Sequence, residues 1–249
     1  MLSDAVVLAA GKSTRIASVG GGLPKPLISV QGEPILARNV RWLANAGVRN
    51  LWINLHYRGD LIRAALGDGS RWGGRIRYSE EPTILGTAGG VRKVLSSLGE
   101  TYLVVYGDNL LELDLAAFCE AHARRAADVS IAVFDEAGVN TGIAGGRVEL
   151  GDDERVTAFV EGGAGKGEGG VGVSFVNAGV YAVEHAVLEA FPENQFLDWG
   201  KDVFPALLLP PGRARIFGYP IEGYCLALDT PTSYERGMAL ISSGQVRLS

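Results

Sequence analysis

Leu23-Pro24-Lys25-Pro26-Leu27 holds a single lysine between two prolines. The prolines restrict the backbone on both sides of it. Aiming that ammonium at an anion therefore costs less entropy than aiming a free surface lysine does. Ahead of it runs Leu8-Ala9-Ala10-Gly11-Lys12-Ser13-Thr14-Arg15, an apolar strand end leading into a glycine-containing turn with two further cations, Lys12 and Arg15. Successive backbone N–H groups in such a turn cradle phosphate oxygens, and Gly11 lets the backbone approach closely. An ordinary strand-to-helix turn is the plainer reading of the same residues. Two carboxylates, Asp108 and Asp229, follow the apolar runs Tyr102 to Tyr106 and Tyr224 to Leu228. Each also reads as a local backbone device: Asp229 before Thr230-Pro231 as a helix N-cap, Asp108 before Asn109-Leu110 as a turn residue.

Other chemistries fit less well. Gly11-Lys12-Ser13-Thr14 matches the end of a P-loop, but the first glycine of that pattern falls at Val6, inside a strand, so the wrapping loop is missing. Gly165-Lys166 is followed by Gly167 where a metal-ligating hydroxyl belongs. His56, His122 and His185 are dispersed, with no Ser or Cys beside them in a triad-like arrangement. Cys119 and Cys225 form no metal-type cluster and read as buried free thiols. Asp152-Asp153-Glu154 reads as a solvated turn.

Strands and helices must carry these residues to one place. Ala5 to Ala9 reads as a strand buried on both faces, and Leu51 to Leu55, Arg75 to Ser79, Tyr102 to Tyr106 and Val129 to Phe134 read as further strands. Helices are expected over Pro34 to Ala46, Asp60 to Leu66, Thr87 to Leu98 and from an Asp114 N-cap to about Ala127. This alternation implies right-handed βαβ units and a mostly parallel sheet whose C-terminal edge binds ligands. After about residue 135 the pattern changes. Gly142 to Leu150, Arg155 to Val160 and Ser174 to Val183 read as strands with less helix between them, and Trp199 to Leu209 and Thr232 to Ser242 as helices. The fold class is therefore α/β: a Rossmann-like, mostly parallel mixed sheet flanked by helices. It is expected as one domain over residues 1–249, with a nucleotide-binding half at 1–135 and a second half at 136–249 that adds mixed strands and a second pocket wall.

The bulk properties agree. The 249 residues are 47% hydrophobic and 20% charged, ordinary for a globular chain. A formal net charge of −5 argues against sequence-independent nucleic-acid binding, which needs a basic footprint. No stretch approaches the roughly 20 apolar residues of a membrane span, and Gly11-Lys12 ends the first apolar run too early for a signal peptide. The expected compartment is the cytoplasm, with no membrane or nucleic-acid partner; a homo-oligomer is left open.

LAAGKSTR, the PKPL segment after it and the strand ending Tyr106-Gly107-Asp108 together resemble the sugar-1-phosphate nucleotidyltransferases. Leu85-Gly86-Thr87-Ala88-Gly89-Gly90, Val176-Asn177-Ala178-Gly179-Val180-Tyr181 and Leu228-Asp229-Thr230-Pro231 continue the resemblance, which covers residues 4 to 240 or so. It implies a Mg²⁺ cofactor held by Asp108 and Asp229, Lys25 on the reacting phosphates, and Arg15 on the departing β- and γ-phosphates. Leu8 to Thr14, Glu81, Gly86 and Thr87 would hold the nucleotide. Gly142, Asn177 and Glu161 would face the sugar, which makes 136–249 the sugar-phosphate-binding half. The chain departs from the family pattern twice: Ser13 stands where a glycine is usual, and Glu161 is followed by Gly162 instead of the lysine that normally neutralises the sugar phosphate. Lys166 and Lys201 are the candidates to replace that lysine.

The implied reaction joins a nucleoside triphosphate to a sugar 1-phosphate and releases pyrophosphate. Glu81 stands where related uridylyl- and thymidylyltransferases commonly carry Gln. An ionised carboxylate only accepts hydrogen bonds, which suits the paired donors of guanine, so GTP is the favoured triphosphate and a manno-configured hexose or heptose 1-phosphate the favoured acceptor. Reading of the base by backbone groups near Gly86 is the alternative. Rival functions are a uridylyl- or thymidylyltransferase, a P-loop-type kinase, and a nucleotide-sugar sensor without catalysis.

Overall fold

The strand Asp4–Leu8 is buried along its whole length. Because strand side chains alternate between faces, Ala5 and Val7 enter one hydrophobic core and Val6 and Leu8 another. A strand apolar on both faces needs a layer on each side, and the computed structural model, which describes residues 2–141, 146–162, 173–209 and 214–248, has both. Helices Ile35–Asn45, Gly59–Leu66 and Leu115–Arg124 pack into the first core. Helix Gly86–Arg92 and the helical turns from Trp199 to Leu208 pack into the second.

Asp4–Leu8 lies centrally, parallel to Asn50–Leu55 on one side and to Thr101–Tyr106 on the other, with Arg75–Glu80 parallel beyond Asn50–Leu55. The second half extends this same sheet. The 12-residue strand Val173–Glu184 runs antiparallel to Thr101–Tyr106 and also pairs with Val129–Phe134 and Arg147–Leu150. Val156–Val160 continues from Arg147–Leu150, and Ile216–Pro220 adds parallel to Val129–Phe134. The result is a mixed sheet of nine strands among the described residues. No helix among them is long and apolar enough to cross a membrane.

Most expected elements form, with instructive shifts. Asp114 does cap its helix, accepting from the Ala117 N–H at 3.0 Å. The helix expected to reach Leu98 closes at Arg92, followed by a separate tight turn Leu95–Ser97. The helix expected from Trp199 opens as a π-helical turn, Trp199–Val203, before Phe204–Leu208. Cys225–Ala227 forms within the apolar run Tyr224 to Leu228, whereas Ile216–Pro220 and its counterpart in the ladder, Asn109–Leu111, have no local strand signal, being short and supported by partners distant in sequence.

Candidate functional site

The Asn109–Leu111 and Cys225–Ala227 ladder brings the two aspartates together. It pairs Asn109 with Ala227, so Asp108, just before one strand, and Asp229, two residues past the other, emerge at the same end. The helix starting at Pro231 is capped by Thr230, whose side chain accepts from the Ser233 N–H, and this leaves Asp229 free of that local task. Lys25 lies between the two carboxylates, 2.8 Å from Asp108 Oδ2 and 2.5 Å from Asp229 Oδ1. Only 4% of Lys25 is exposed. Burial alone would lower its pKa; the charges and hydrogen bonds of Asp108 and Asp229 outweigh burial and raise it, so the group remains an ammonium at neutral pH. Arg15 adds a looser contact to Asp229 at 3.7 Å from an exposed position.

The first family departure has a structural account. Ser13 sits at φ 56°, the left-handed region that glycine tolerates best. Its hydroxyl accepts from the Lys25 backbone N–H at 2.7 Å. A serine at this position therefore ties the phosphate-type turn to the lysine segment, which a glycine could not do.

Three cavities meet at Asp108. The first, about 230 Å³, is lined by Gly11, Lys12, Ser13, Thr14, Arg15 and Lys25. The second, about 300 Å³, has largely apolar walls, including Leu8, Ala10, Ile84 and Phe196, with Gly86, Thr87 and Asn54. The third, about 200 Å³, is lined by Glu161, Asn177, Asp198 and Tyr106, with Arg15 and Asp229 at its join with the first. Asp108 borders all three.

Most expected site residues thus converge, though not always in the expected role. Ala9 uses its backbone N–H to donate to Asn54 Oδ1 at 2.8 Å. Thr87 spends its hydroxyl on the second half of the chain, donating to Asp198 Oδ2 at 2.9 Å and accepting from the Trp199 N–H at 3.0 Å. Asn177 sits at a β-bulge. Its amide donates to the Tyr181 hydroxyl at 2.7 Å and its carbonyl accepts from the Gly179 N–H at 2.9 Å, so it holds the cavity wall in shape. The Glu161 carboxyl packs near the backbone of Gly146 and Gly200; desolvation and then Asp198 raise its pKa, with Lys201 opposing. Lys201 is exposed, within electrostatic reach of Glu161. Gly142 and Lys166 lie outside the described residues.

Glu81 corrects the expectation of direct base reading. It is 2% exposed. One carboxylate oxygen accepts from Asn54 Nδ2 at 2.8 Å and the other from the Leu85 N–H at 2.9 Å. Neither points a free oxygen into the nucleoside-sized cavity; the carboxylate braces that cavity's floor through Asn54. Asn54 itself was missed, although an Asn between Ile53 and Leu55 in a buried strand is a signal in its own right. Asp198 was also missed. Its cue is local, since it caps the Trp199 turn by accepting from the Gly200 and Lys201 N–H groups.

The glycines of Leu85-Gly86-Thr87-Ala88-Gly89-Gly90 make room for this packing. A Cβ on Gly86 would stand 2.4 Å from the Leu197 carbonyl oxygen, and Gly86 has φ 78°. Gly86→Ala is therefore expected to cost about 3 kcal/mol, from the left-handed backbone and the clash, and to lower Tm by roughly 6–12 °C. Thermal denaturation checks this; an unchanged Tm would show that the 195–198 segment is not docked there.

One further correction concerns a nucleophile. Tertiary structure does build a Ser–His–Glu arrangement: His122 Nδ1 lies 2.9 Å from Ser130 Oγ and Nε2 lies 3.0 Å from Glu184 Oε1. Ser130 is 1% exposed, so no substrate reaches its hydroxyl, and the network serves to satisfy buried polar groups. Both cysteines are unpaired. Cys225 borders the third cavity, but burial and then Asp229 push its thiol up to about 12, leaving no thiolate for attack.

The Asp108 and Asp229 carboxylates already share one cation, the Lys25 ammonium. No group of three or more His, Cys, Asp or Glu that could hold a metal occurs among the described residues. Two convergent carboxylates with space beside them suit a hard divalent ion that draws its other ligands from water and phosphate.

The profile of the nucleotidyl transferase family matches residues 4–210. The mannose-1-phosphate guanylyltransferase of Mycobacterium tuberculosis is 34% identical over 97% of this chain and 65% of its own length. The UTP–glucose-1-phosphate uridylyltransferase of Synechocystis sp. is 30% identical over 82% of this chain and 55% of its own. This chain thus spans less than two thirds of the length of either relative. Among solved structures, HddC from Yersinia pseudotuberculosis superposes with a TM-score of 0.79 at 24% identity, covering 97% of this chain and all of that one, which shows the same fold.

Proposed function

The chain belongs to the nucleotidyl transferase family, and on that premise we propose that it transfers a nucleotidyl group from a nucleoside triphosphate to a sugar 1-phosphate, giving an NDP-sugar and pyrophosphate. The observation that carries this reading is the meeting of three cavities at Asp108: one cationic, one apolar and one polar. A triphosphate suits the first, its nucleoside the second and a sugar phosphate the third, which leaves the α-phosphate at the junction. A sugar-phosphate oxygen attacks the α-phosphorus there. A new O–P bond forms, the α–β phosphoanhydride bond breaks, and its electron pair leaves with pyrophosphate. Lys25 neutralises charge on the reacting phosphates and Arg15 meets the departing ones. Positioning and charge neutralisation suffice for such a step, and no covalent intermediate is needed. Asp108 and Asp229 would hold Mg²⁺, which when bound supplies further neutralisation of the triphosphate.

GTP is the triphosphate we favour, with a manno-configured hexose or heptose 1-phosphate as acceptor. The guanylyltransferase relative matches more of this chain at higher identity than the uridylyltransferase does. A uridylyltransferase is the second reading, on the strength of that other relative. Glu161 and Lys201 serve the acceptor side, with Lys201 taking the place of the lysine absent after Glu161. Pyrophosphate release across GTP, UTP, dTTP, CTP and ATP with a set of sugar 1-phosphates is the test. Release with no combination would leave a nucleotide-sugar sensor, and orthophosphate as product a kinase or NTPase.

The buried position of Glu81 changes what its substitution should do. Glu81→Gln puts an amide NH₂ against either the Asn54 NH₂ or the Leu85 N–H, so one hydrogen bond is lost. Losing one hydrogen bond at a buried carboxylate is expected to cost about 1–3 kcal/mol, which corresponds to a rise in KM of roughly 5- to 150-fold, shared by GTP and UTP because the floor of the cavity is disturbed. A loss confined to GTP, measured in parallel titrations, would return Glu81 to direct base reading.

A further inference from the structure

Among the described residues, Phe196 is the most exposed phenylalanine or tyrosine, and neither the fold nor the proposed reaction uses it. It is 60% exposed. A lone exposed aromatic is ordinary on a protein surface; three observations set this one apart. It borders the apolar cavity together with Leu8 and Ile84. That cavity shares Leu8, Gly11 and Asp108 with the cationic one, so a nucleotide whose phosphates lie along Lys12 and Lys25 has its nucleoside end here.

The third observation is how firmly the backbone around Phe196 is held. Leu197 N–H donates to the Leu85 carbonyl at 2.9 Å, and the Ala88 and Gly89 N–H groups donate back to the Leu197 carbonyl at 2.9 and 3.0 Å. A Cβ on Gly89 would stand 2.5 Å from the Gln195 carbonyl oxygen, so the chain on the other side of Phe196 is seated as closely. A large apolar ring anchored in this way and left without cover is preorganised for a ligand with a flat apolar face.

The geometry points to Phe196 as a wall of the nucleobase site, its ring covering one face of the base. This inference rests on the proposed nucleotidyl transfer and adds to it that the second half of the chain contacts the nucleoside. The neighbouring Asp198 borders both the nucleoside and the sugar cavities, so one short segment faces both substrates. Base–aromatic contact tolerates any base and scales with ring area, so it contributes affinity more than discrimination, with purines gaining most.

Equilibrium binding of GTP, UTP and inorganic pyrophosphate, each with Mg²⁺ and without sugar phosphate, tests this on the wild type, Phe196→Ala and Phe196→Tyr. The expected result is about tenfold weaker GTP binding in Phe196→Ala, a smaller loss for UTP, retention in Phe196→Tyr, and unchanged pyrophosphate binding in all three. GTP affinity within twofold of wild type in Phe196→Ala would overturn the inference, and so would an equal loss for pyrophosphate, which would locate the effect in the fold. If the wild type itself bound none of the nucleotides, the proposed transfer would fall first and this inference with it.

Discussion

Asp108→Asn is expected to slow pyrophosphate release by roughly 100-fold or more at saturating Mg²⁺, a loss of about 3 kcal/mol of transition-state stabilisation. The substitution keeps the shape and a hydrogen-bonding oxygen for Lys25 but removes the charge. Asp108 borders the cationic, apolar and polar cavities alike, so in the proposed transfer a change there acts where bonds form and break. Asp229→Asn should behave similarly, because both carboxylates converge on the same ammonium. Turnover with the preferred triphosphate, followed over a Mg²⁺ titration, checks both. Near-normal turnover in Asp108→Asn would remove that carboxylate from the site and leave it a partner of Lys25 alone.

Lys25→Ala should lose as much rate or more, and for two separable reasons. In the proposed transfer the ammonium is lost from the reacting phosphates, which should lower kcat far more than it weakens nucleotide binding. The Asp108 and Asp229 carboxylates also lose their shared cation in a site where Lys25 is nearly fully buried. Removing one partner of a buried ion pair is costly; because the Asp108 side chain is 31% exposed, roughly 2–3 kcal/mol of stability is the expected loss here. Mg²⁺ should then raise the Tm of Lys25→Ala more than that of the wild type, since a second cation relieves the same two carboxylates. Lys25→Met, equally neutral and nearer in length, should reproduce the rate defect with less loss of packing. Lys12→Ala should be mild by comparison, because Lys12 is exposed and nothing constrains it. Equal effects of Lys12→Ala and Lys25→Ala on kcat would overturn the assignment of Lys25 to the reacting phosphates.

Local sequence determined a good deal of this protein. The buried strands Asp4–Leu8, Thr101–Tyr106 and Val129–Phe134 are apolar runs with no other stable use than a sheet covered on both faces. The Asp114 cap follows from a side chain meeting a backbone N–H three residues away. Lys25 between two prolines, and the turn from Gly11 to Arg15, are contiguous, so their chemistry could be seen before any fold was known.

What only the tertiary structure decided involves residues far apart in the chain. Asp229 reads locally as a helix cap before it reads as a charge for the site; Thr230 takes the capping role, and the pairing of Asn109 with Ala227 carries Asp229 to Asp108. Glu81 looks available for a base until Asn54 and Leu85 use both its oxygens. His122 looks isolated until the sheet brings Ser130 and Glu184 to it. The physical reason is common to all three. A side chain's type sets which bonds it can make, but which bonds it does make depends on which partners reach it first, and for buried groups those partners arrive through strand pairing and helix packing between distant segments.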